Sequence, residues 1–183
     1  MALLNPAPSV WLLLAVARVA VAQAPSADEY RVKAAFLYNF AKFVEWPDGA
    51  FKNPREPLVI CILGRSSSFR PLLEEAVQGK QIGGRGLVIR ETTDPRETAD
   101  CHLLFIAASE KRHLPAVLEA LKARSVLTVG ETSNFADAGG VINFRLDNGK
   151  VGLEINVCAA QRARLQISSK LLSLARIVKD EKP

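Results

Sequence analysis

The stretch LVICIL, residues 58–63, decides the fold class of this chain. It is short, apolar and rich in β-branched residues, and Pro57 and Gly64 bound it, which is typical of a strand buried on both faces. Similar apolar runs lie at Leu103–Ala107 and Val126–Val129, and helical patterns separate the runs. Strands that alternate with helices predict a single layered α/β domain, in which helices flank a central mixed sheet.

A helix rich in aromatic residues is predicted ahead of the first strand. The stretch EYRVKAAFLYNFAKFVEW follows a Ser26-x-x-Glu29 capping box and stops at Pro47. Its apolar stripe includes Leu37, Phe40 and Val44 at helical spacing. Such a stripe must be buried, either in the protein's own core or against a partner.

The last third of the chain has a different pattern. Residues 142–157 read INFRLDNGKVGLEINV, two alternating apolar and polar runs around Asn148-Gly149, which predicts a β-hairpin with a tight turn. Leucines and alanines at helical spacing then predict a long terminal helix from about Ala159 to Val178.

The N-terminus has the pattern of a secretory signal peptide. The apolar run Val10–Ala17 precedes VAVAQA, so cleavage is expected after Ala22 or Ala24. A retained membrane anchor is the alternative, but a membrane-spanning helix needs roughly 20 apolar residues and this run is far shorter. We therefore divide the chain into a signal peptide, residues 1–24, and one α/β domain, residues 25–183.

Composition and motifs give little support for an enzyme or a nucleic-acid-binding protein. The formal net charge of +5 is spread along the chain, and no basic block occurs. The two histidines, His102 and His113, lie outside any known metal-binding spacing, and no phosphate loop or nucleophile motif is present. We expect no catalytic residues, no metal and no cofactor, so an exported enzyme is the weakest hypothesis.

Three cysteines are present, and two of them fall in or beside predicted core strands. Cys61 lies within LVICIL and Cys101 directly precedes the Leu103 strand. Because exported cysteines are usually oxidised, these positions favour a disulfide, although two buried thiols are the alternative. Cys158 would then remain free.

Polar residues alternate with apolar ones in the hairpin and continue beyond it. They form either a solvated face or a recognition surface. These residues are Asn143, Arg145, Glu154, Asn156, Arg162, Arg164 and Lys170.

Taken together, the motifs resemble those of the YfiR family. They occur in the expected order over nearly all of the chain that follows the predicted signal peptide. The matching stretches are AFLYNFAKFVEWP (35–47), LVICILG (58–64), CHLLFI (101–106), LTVGE (127–131), FADAGGVINF (135–144), LEIN (153–156) and LQISSKLLSLA (165–175).

The resemblance implies a periplasmic α/β protein that represses an inner-membrane diguanylate cyclase by binding its periplasmic domain, and so restrains cyclic-di-GMP output and biofilm formation. It also implies the Cys61–Cys101 disulfide, an outer-membrane lipoprotein as a second partner, and a possible homodimer. We expect Glu154, Arg162 and Arg164 to lie at the rim of the partner-binding surface. The alternative is a periplasmic small-molecule-binding sensor, which would need a concave apolar pocket.

Overall fold

The computed structural model describes residues 25–65, 68–147 and 149–178. The predicted signal peptide lies outside these described residues. Two 3-10 turns, at Pro95–Thr98 and Ala108–Glu110, flank the strand Leu103–Ile106. The helices and strands in chain order are α1 (Ala27–Phe43), β1 (Val44–Glu45), β2 (Leu58–Leu63), α2 (Phe69–Val77), β3 (Leu87–Thr92), β4 (Leu103–Ile106), α3 (Leu114–Leu121), β5 (Leu127–Gly130), β6 (Ile142–Asp147), β7 (Lys150–Asn156), α4 (Val157–Arg162), β8 (Gln166–Ile167), α5 (Ser169–Leu172) and β9 (Arg176–Val178).

A central sheet of seven strands has the order β3-β2-β4-β5-β6-β7-β9. The first five of these strands are parallel, β7 is antiparallel to β6, and β9 is parallel to β7. The predicted mixed sheet flanked by helices is therefore confirmed. Within the described ranges, the helices are too short or too polar to cross a bilayer.

The strand β2 explains why both faces of the sheet need helices. All six of its residues are buried, and alternate side chains enter two separate cores. Ile60 and Ile62 pack in the core beneath α1 and α2, whereas Val59 and Leu63 pack in the core that includes residues of α3. Successive strand side chains point to opposite faces, so an uninterrupted apolar run must be covered on both.

The aromatic helix α1 buries its apolar stripe in the protein's own core, which is the first of the two alternatives. The side-chain oxygen of Ser26 accepts a hydrogen bond from the Glu29 amide, which begins α1. Leu37 and Phe40 are fully buried, and Val44 is buried just beyond the helix. The Phe40 ring centre lies 5.6 Å from that of Phe144 on β6, so α1 packs directly on the C-terminal hairpin.

The β-hairpin is confirmed in both its extent and its register. Its pairs run from Ile142 opposite Ile155 to Asp147 opposite Lys150, which leaves two residues for the turn. Gly149 adopts a positive φ of 76°, the conformation that a tight primed turn requires.

The predicted terminal helix from Ala159 to Val178 is wrong. Helix α4 ends at Arg162, because Arg164 adopts a left-handed φ of 59° and the Leu165 amide bonds back to the Ala160 carbonyl. Strand β8 then pairs with β1, α5 forms one short turn, and β9 pairs with β7. Leu165 and Leu171, which suggested a helix, are buried in these separate segments instead, whereas Leu174 is exposed.

The cysteines pair as predicted. Cys61 on β2 and Cys101 before β4 form a disulfide with their Cα atoms 5.9 Å apart and 40 positions apart in sequence. Both are almost fully buried on the α3 side of the sheet. Cys158 is free and partly exposed at the start of α4.

The disulfide should account for much of the stability. Cys61→Ser should lower the free energy of unfolding by about 4 kcal/mol, because the bridge closes a long loop in the unfolded chain. Denaturant unfolding followed by circular dichroism measures this loss. Cys158→Ser is the control, and a loss of similar size in that variant would contradict the assignment.

Phe40→Ala should lower the free energy of unfolding by roughly 3–5 kcal/mol, because it leaves a cavity between α1 and β6. Chemical denaturation measures the change. Val32→Ala on the same helix is a matched control, since Val32 is 44% exposed and its truncation should cost far less. If both variants unfolded at the wild-type denaturant concentration, α1 would not be part of the core.

Candidate functional surface

Glu154, one of the predicted partner-binding residues, lies at the centre of a polar network on β7. Its strand neighbours Leu153 and Ile155 enter the core beneath α1, so Glu154 points to the opposite face. The Asn143 side-chain amide donates a hydrogen bond of 3.2 Å to its carboxylate. Arg145 and Arg176 approach the other carboxylate oxygen at 3.6 Å and 3.7 Å.

The network continues along the strands as a row of alternating charge. Arg145 also binds both carboxylate oxygens of Asp147 at 2.7 Å. Two arginines and two carboxylates therefore run across β9, β7 and β6 in the order Arg176, Glu154, Arg145 and Asp147, a row that we call the charge ladder. Its outer members are exposed, whereas the Glu154 side chain is only 12% exposed. A ladder of this kind presents fixed charges of both signs to solvent.

Two residues of the predicted polar set are not on the surface at all. Asn156 is fully buried, because its side chain caps α4 at the Ala159 amide and donates to the Ala136 carbonyl. Asn143 is also buried, and Glu154 fixes its orientation, since the amide nitrogen must face the carboxylate. Asparagine directly before a helix is a local sign of the Asn156 cap. The Asn156 bond to Ala136 and the Asn143 bond to Glu154 leave no such sign, because they join different segments of the chain.

Arg162 and Arg164 are exposed near the end of α4, but they line different clefts. Arg162 borders a cavity of about 330 Å³ beside α3, together with Leu118, Lys122 and Asp137. Arg164 borders a cavity of about 350 Å³ at the amino ends of the parallel strands. The structure therefore gives the three predicted residues separate surroundings.

Arg164 combines exposure with backbone strain. Its φ of 59° is a left-handed conformation that a helix end usually assigns to glycine. A non-glycine residue in this conformation costs on the order of 1 kcal/mol, and such residues occur often at functional sites. Here the conformation lets the Leu165 amide bond back to the Ala160 carbonyl, so it serves the end of helix α4.

The carboxyl edge of the parallel strands is filled by the chain itself. In open α/β sheets, ligands bind where the strand order reverses, which here is between β2 and β4. Gly64 ends β2 there, and a Cβ atom on it would lie 2.7 Å from the Ser109 hydroxyl and 2.8 Å from the Glu110 side chain. The 3-10 turn at Ala108–Glu110 thus occupies the crevice.

A buried ion-pair cluster lies at the same edge. The Lys33 ammonium lies 2.7 Å from Glu131 and 2.5 Å from Glu29, and Glu131 also accepts a hydrogen bond from the Ala108 amide. Burial alone would lower the pKa of Lys33, but the two carboxylates outweigh it and hold the pKa above its ordinary value. These groups bond to one another, so none of them is offered to a ligand.

Residues 30–176 match the YfiR/HmsC-like family, which is four-fifths of the chain. The chain belongs to the YfiR/HmsC-like family. The matched range includes α1 from Tyr30 onward, the strands of the central sheet up to the first residue of β9, and the charge ladder.

Solved structures support the fold only. A crystal structure of a conserved domain protein from Vibrio cholerae aligns with a TM-score of 0.56 at 11% identity, over 82% of this chain and 60% of that chain. This chain therefore spans less than two thirds of that protein. The ABC domain in complex with L-Trp from Streptococcus pneumoniae aligns with a TM-score of 0.49 at 14% identity, over 66% and 55% of the two chains, which is too weak to carry an argument. No curated protein matches this chain in sequence.

Removal of the Lys33 charge should destabilise this YfiR/HmsC-like domain strongly. Lys33→Met leaves the Glu131 carboxylate buried without its cation, which should cost about 3–5 kcal/mol in the free energy of unfolding. Thermal and urea denaturation measure the loss. Lys33→Met combined with Glu131→Gln should recover part of it, and a single variant as stable as wild type would show that the edge is hydrated and open.

Proposed function

We propose that this chain is a periplasmic, non-enzymatic regulator that binds the periplasmic domain of an inner-membrane diguanylate cyclase and holds the cyclase inactive. The observation that carries the proposal is the family match over the whole folded domain. The buried disulfide is consistent with an oxidising compartment. Repression would lower cyclic-di-GMP and biofilm formation.

The polar face of the last strands is the best-supported contact surface. The charge ladder lies on rigid strands, so its charges are positioned before a partner arrives, and charge complementarity of this kind contributes chiefly to specificity and association rate. We assign Glu154 to the partner contact together with Arg176, and we place Arg162 and Arg164 at the rim.

Repression would operate by a shift in population. A partner that binds the inactive cyclase conformation more tightly than the active one shifts the equilibrium by that difference in affinity, and near-complete silencing takes roughly 5 kcal/mol. A stable interface of this kind buries about 1,200–2,000 Å² in total. An outer-membrane lipoprotein that covered the same surface would release the cyclase, and a homodimer would present two such surfaces.

A charge reversal at the exposed end of the ladder tests the surface. Arg176→Glu changes a side chain that is 67% exposed and leaves Glu154 with Asn143 and Arg145. The domain should therefore fold and bind the cyclase domain at least tenfold more weakly, a loss of about 1.4 kcal/mol. Titration calorimetry with the purified periplasmic domain of a membrane diguanylate cyclase from the same organism measures the affinity.

Arg70→Glu on α2 is the matched control, since it makes the same charge reversal on an exposed helix across the sheet. It should bind as wild type does. Unchanged affinity in Arg176→Glu would remove this end of the charge ladder from the interface. No binding by the wild-type protein, with a tightly bound metabolite in the purified sample, would favour the small-molecule sensor.

A further inference from the structure

The neutral His102 ring is held as a single tautomer at the edge of the sheet where the parallel strands begin. Its ring is buried directly before β4. The ring Nδ1 accepts a hydrogen bond of 3.1 Å from the Val59 amide, and Nε2 lies 3.2 Å from the Ala50 carbonyl oxygen. Since Nδ1 must accept from an N–H group, the single ring proton is on Nε2, which donates it to Ala50.

The same histidine fastens the segment of residues 46–56, which we call the edge loop. The Phe51 ring stacks on His102 with a centroid distance of 4.2 Å and an interplanar angle of 12°. The Arg85 guanidinium lies 3.9 Å from the Phe51 ring centre, necessarily on its other face, and donates to two carbonyl oxygens of the loop. The Trp46 indole donates to the His102 carbonyl at 3.2 Å.

We propose that His102 is a pH-operated latch whose protonation releases the edge loop from the sheet. A proton on Nδ1 would point at the Val59 amide hydrogen, so two donors would face each other across a buried contact. The ring can relieve this only by moving, and movement breaks both its bond to Ala50 and its stack on Phe51. The cleft of about 350 Å³ that residues 47–50 border would then widen.

The charged groups around the ring set the pH range. Burial lowers the pKa of His102 most strongly, Arg85 and Arg90 lower it further, and the carbonyl of Ala50 and the carboxylate of Glu56 act in the opposite direction. The net pKa is below the ordinary value of about 6.5. The remaining charged residues of the surrounding cleft, from every segment that borders it, are Asp48, Lys52, Asp100, Arg124 and Arg164.

The sign of the effect follows from this lowered pKa. The open loop exposes the ring and titrates near 6.5, whereas the closed loop titrates below that value, so the latch is fully effective above pH 6.5. As the pH falls below 6.5, the opening constant rises by up to about tenfold per pH unit. It levels off once the pH is below the closed-state pKa.

Hydrogen exchange and tryptophan fluorescence test the latch directly. The full chain with Trp11→Phe has Trp46 as its only tryptophan. Between pH 7.5 and 4.5, amide exchange over residues 47–56, corrected for its intrinsic pH dependence, should rise on the order of tenfold. Trp46 emission should shift to longer wavelength while far-UV circular dichroism stays constant.

His113→Gln is the matched control, because His113 is the only other histidine and its side chain is 66% exposed beside Glu110. This variant should keep the transition, whereas His102→Asn should lose it. Loss of the transition in His113→Gln, its persistence in His102→Asn, or a parallel loss of circular dichroism would each overturn the latch.

A measurement on the wild-type protein covers the case in which His102→Asn does not fold. Long-range ¹H–¹⁵N spectra should show His102 with the proton on Nε2 at pH 7.5 and a pKa below 6.5. A proton on Nδ1, or a pKa at or above 6.5, would also overturn it. None of these outcomes depends on whether the protein binds a cyclase.

Discussion

The contact between Phe40 on α1 and Phe144 on β6 is the constraint on which the rest of the structure depends. It joins residues more than one hundred positions apart, and both rings are almost fully buried. The apolar stripe of α1 brings buried residues of β2 and of the hairpin, such as Ile60 and Phe144, into one core. With α1 in place, β6 and β7 can present their polar residues on the opposite face, where the charge ladder forms.

The sequence predicted the buried strand and the hairpin, because the pattern of each depends only on residues that are neighbours in the chain. Leu58–Leu63 is uniformly apolar because both of its faces are covered, and residues 142–157 alternate because one face is core. The predicted terminal helix was wrong because the spacing of the buried residues Leu165 and Leu171 fits a helix and fits a series of short segments equally well. The short segments form because β8 pairs with β1 and β9 pairs with β7, and the strands β1 and β7 lie elsewhere in the sequence.

The candidate surface was predictable only in outline. Glu154 belongs to a polar network, but its neighbour Asn143 is as buried as the core, and sequence does not distinguish these two polar strand residues. Likewise, nothing local marks His102 as the residue that fastens a loop, because its partners come from β2 and from the loop itself. At the carboxyl edge, the 3-10 turn at Ala108–Glu110 occupies the crevice that many α/β proteins use for ligands.

The central claim is that this protein restrains a diguanylate cyclase, and the cellular level of cyclic-di-GMP tests it most directly. The measurement compares the native host, a strain with the gene deleted, and the deletion strain complemented with the wild-type gene. The account predicts that deletion raises cyclic-di-GMP and surface attachment and that complementation restores both. Cyclic-di-GMP that stays at the wild-type level in the deletion strain would contradict it.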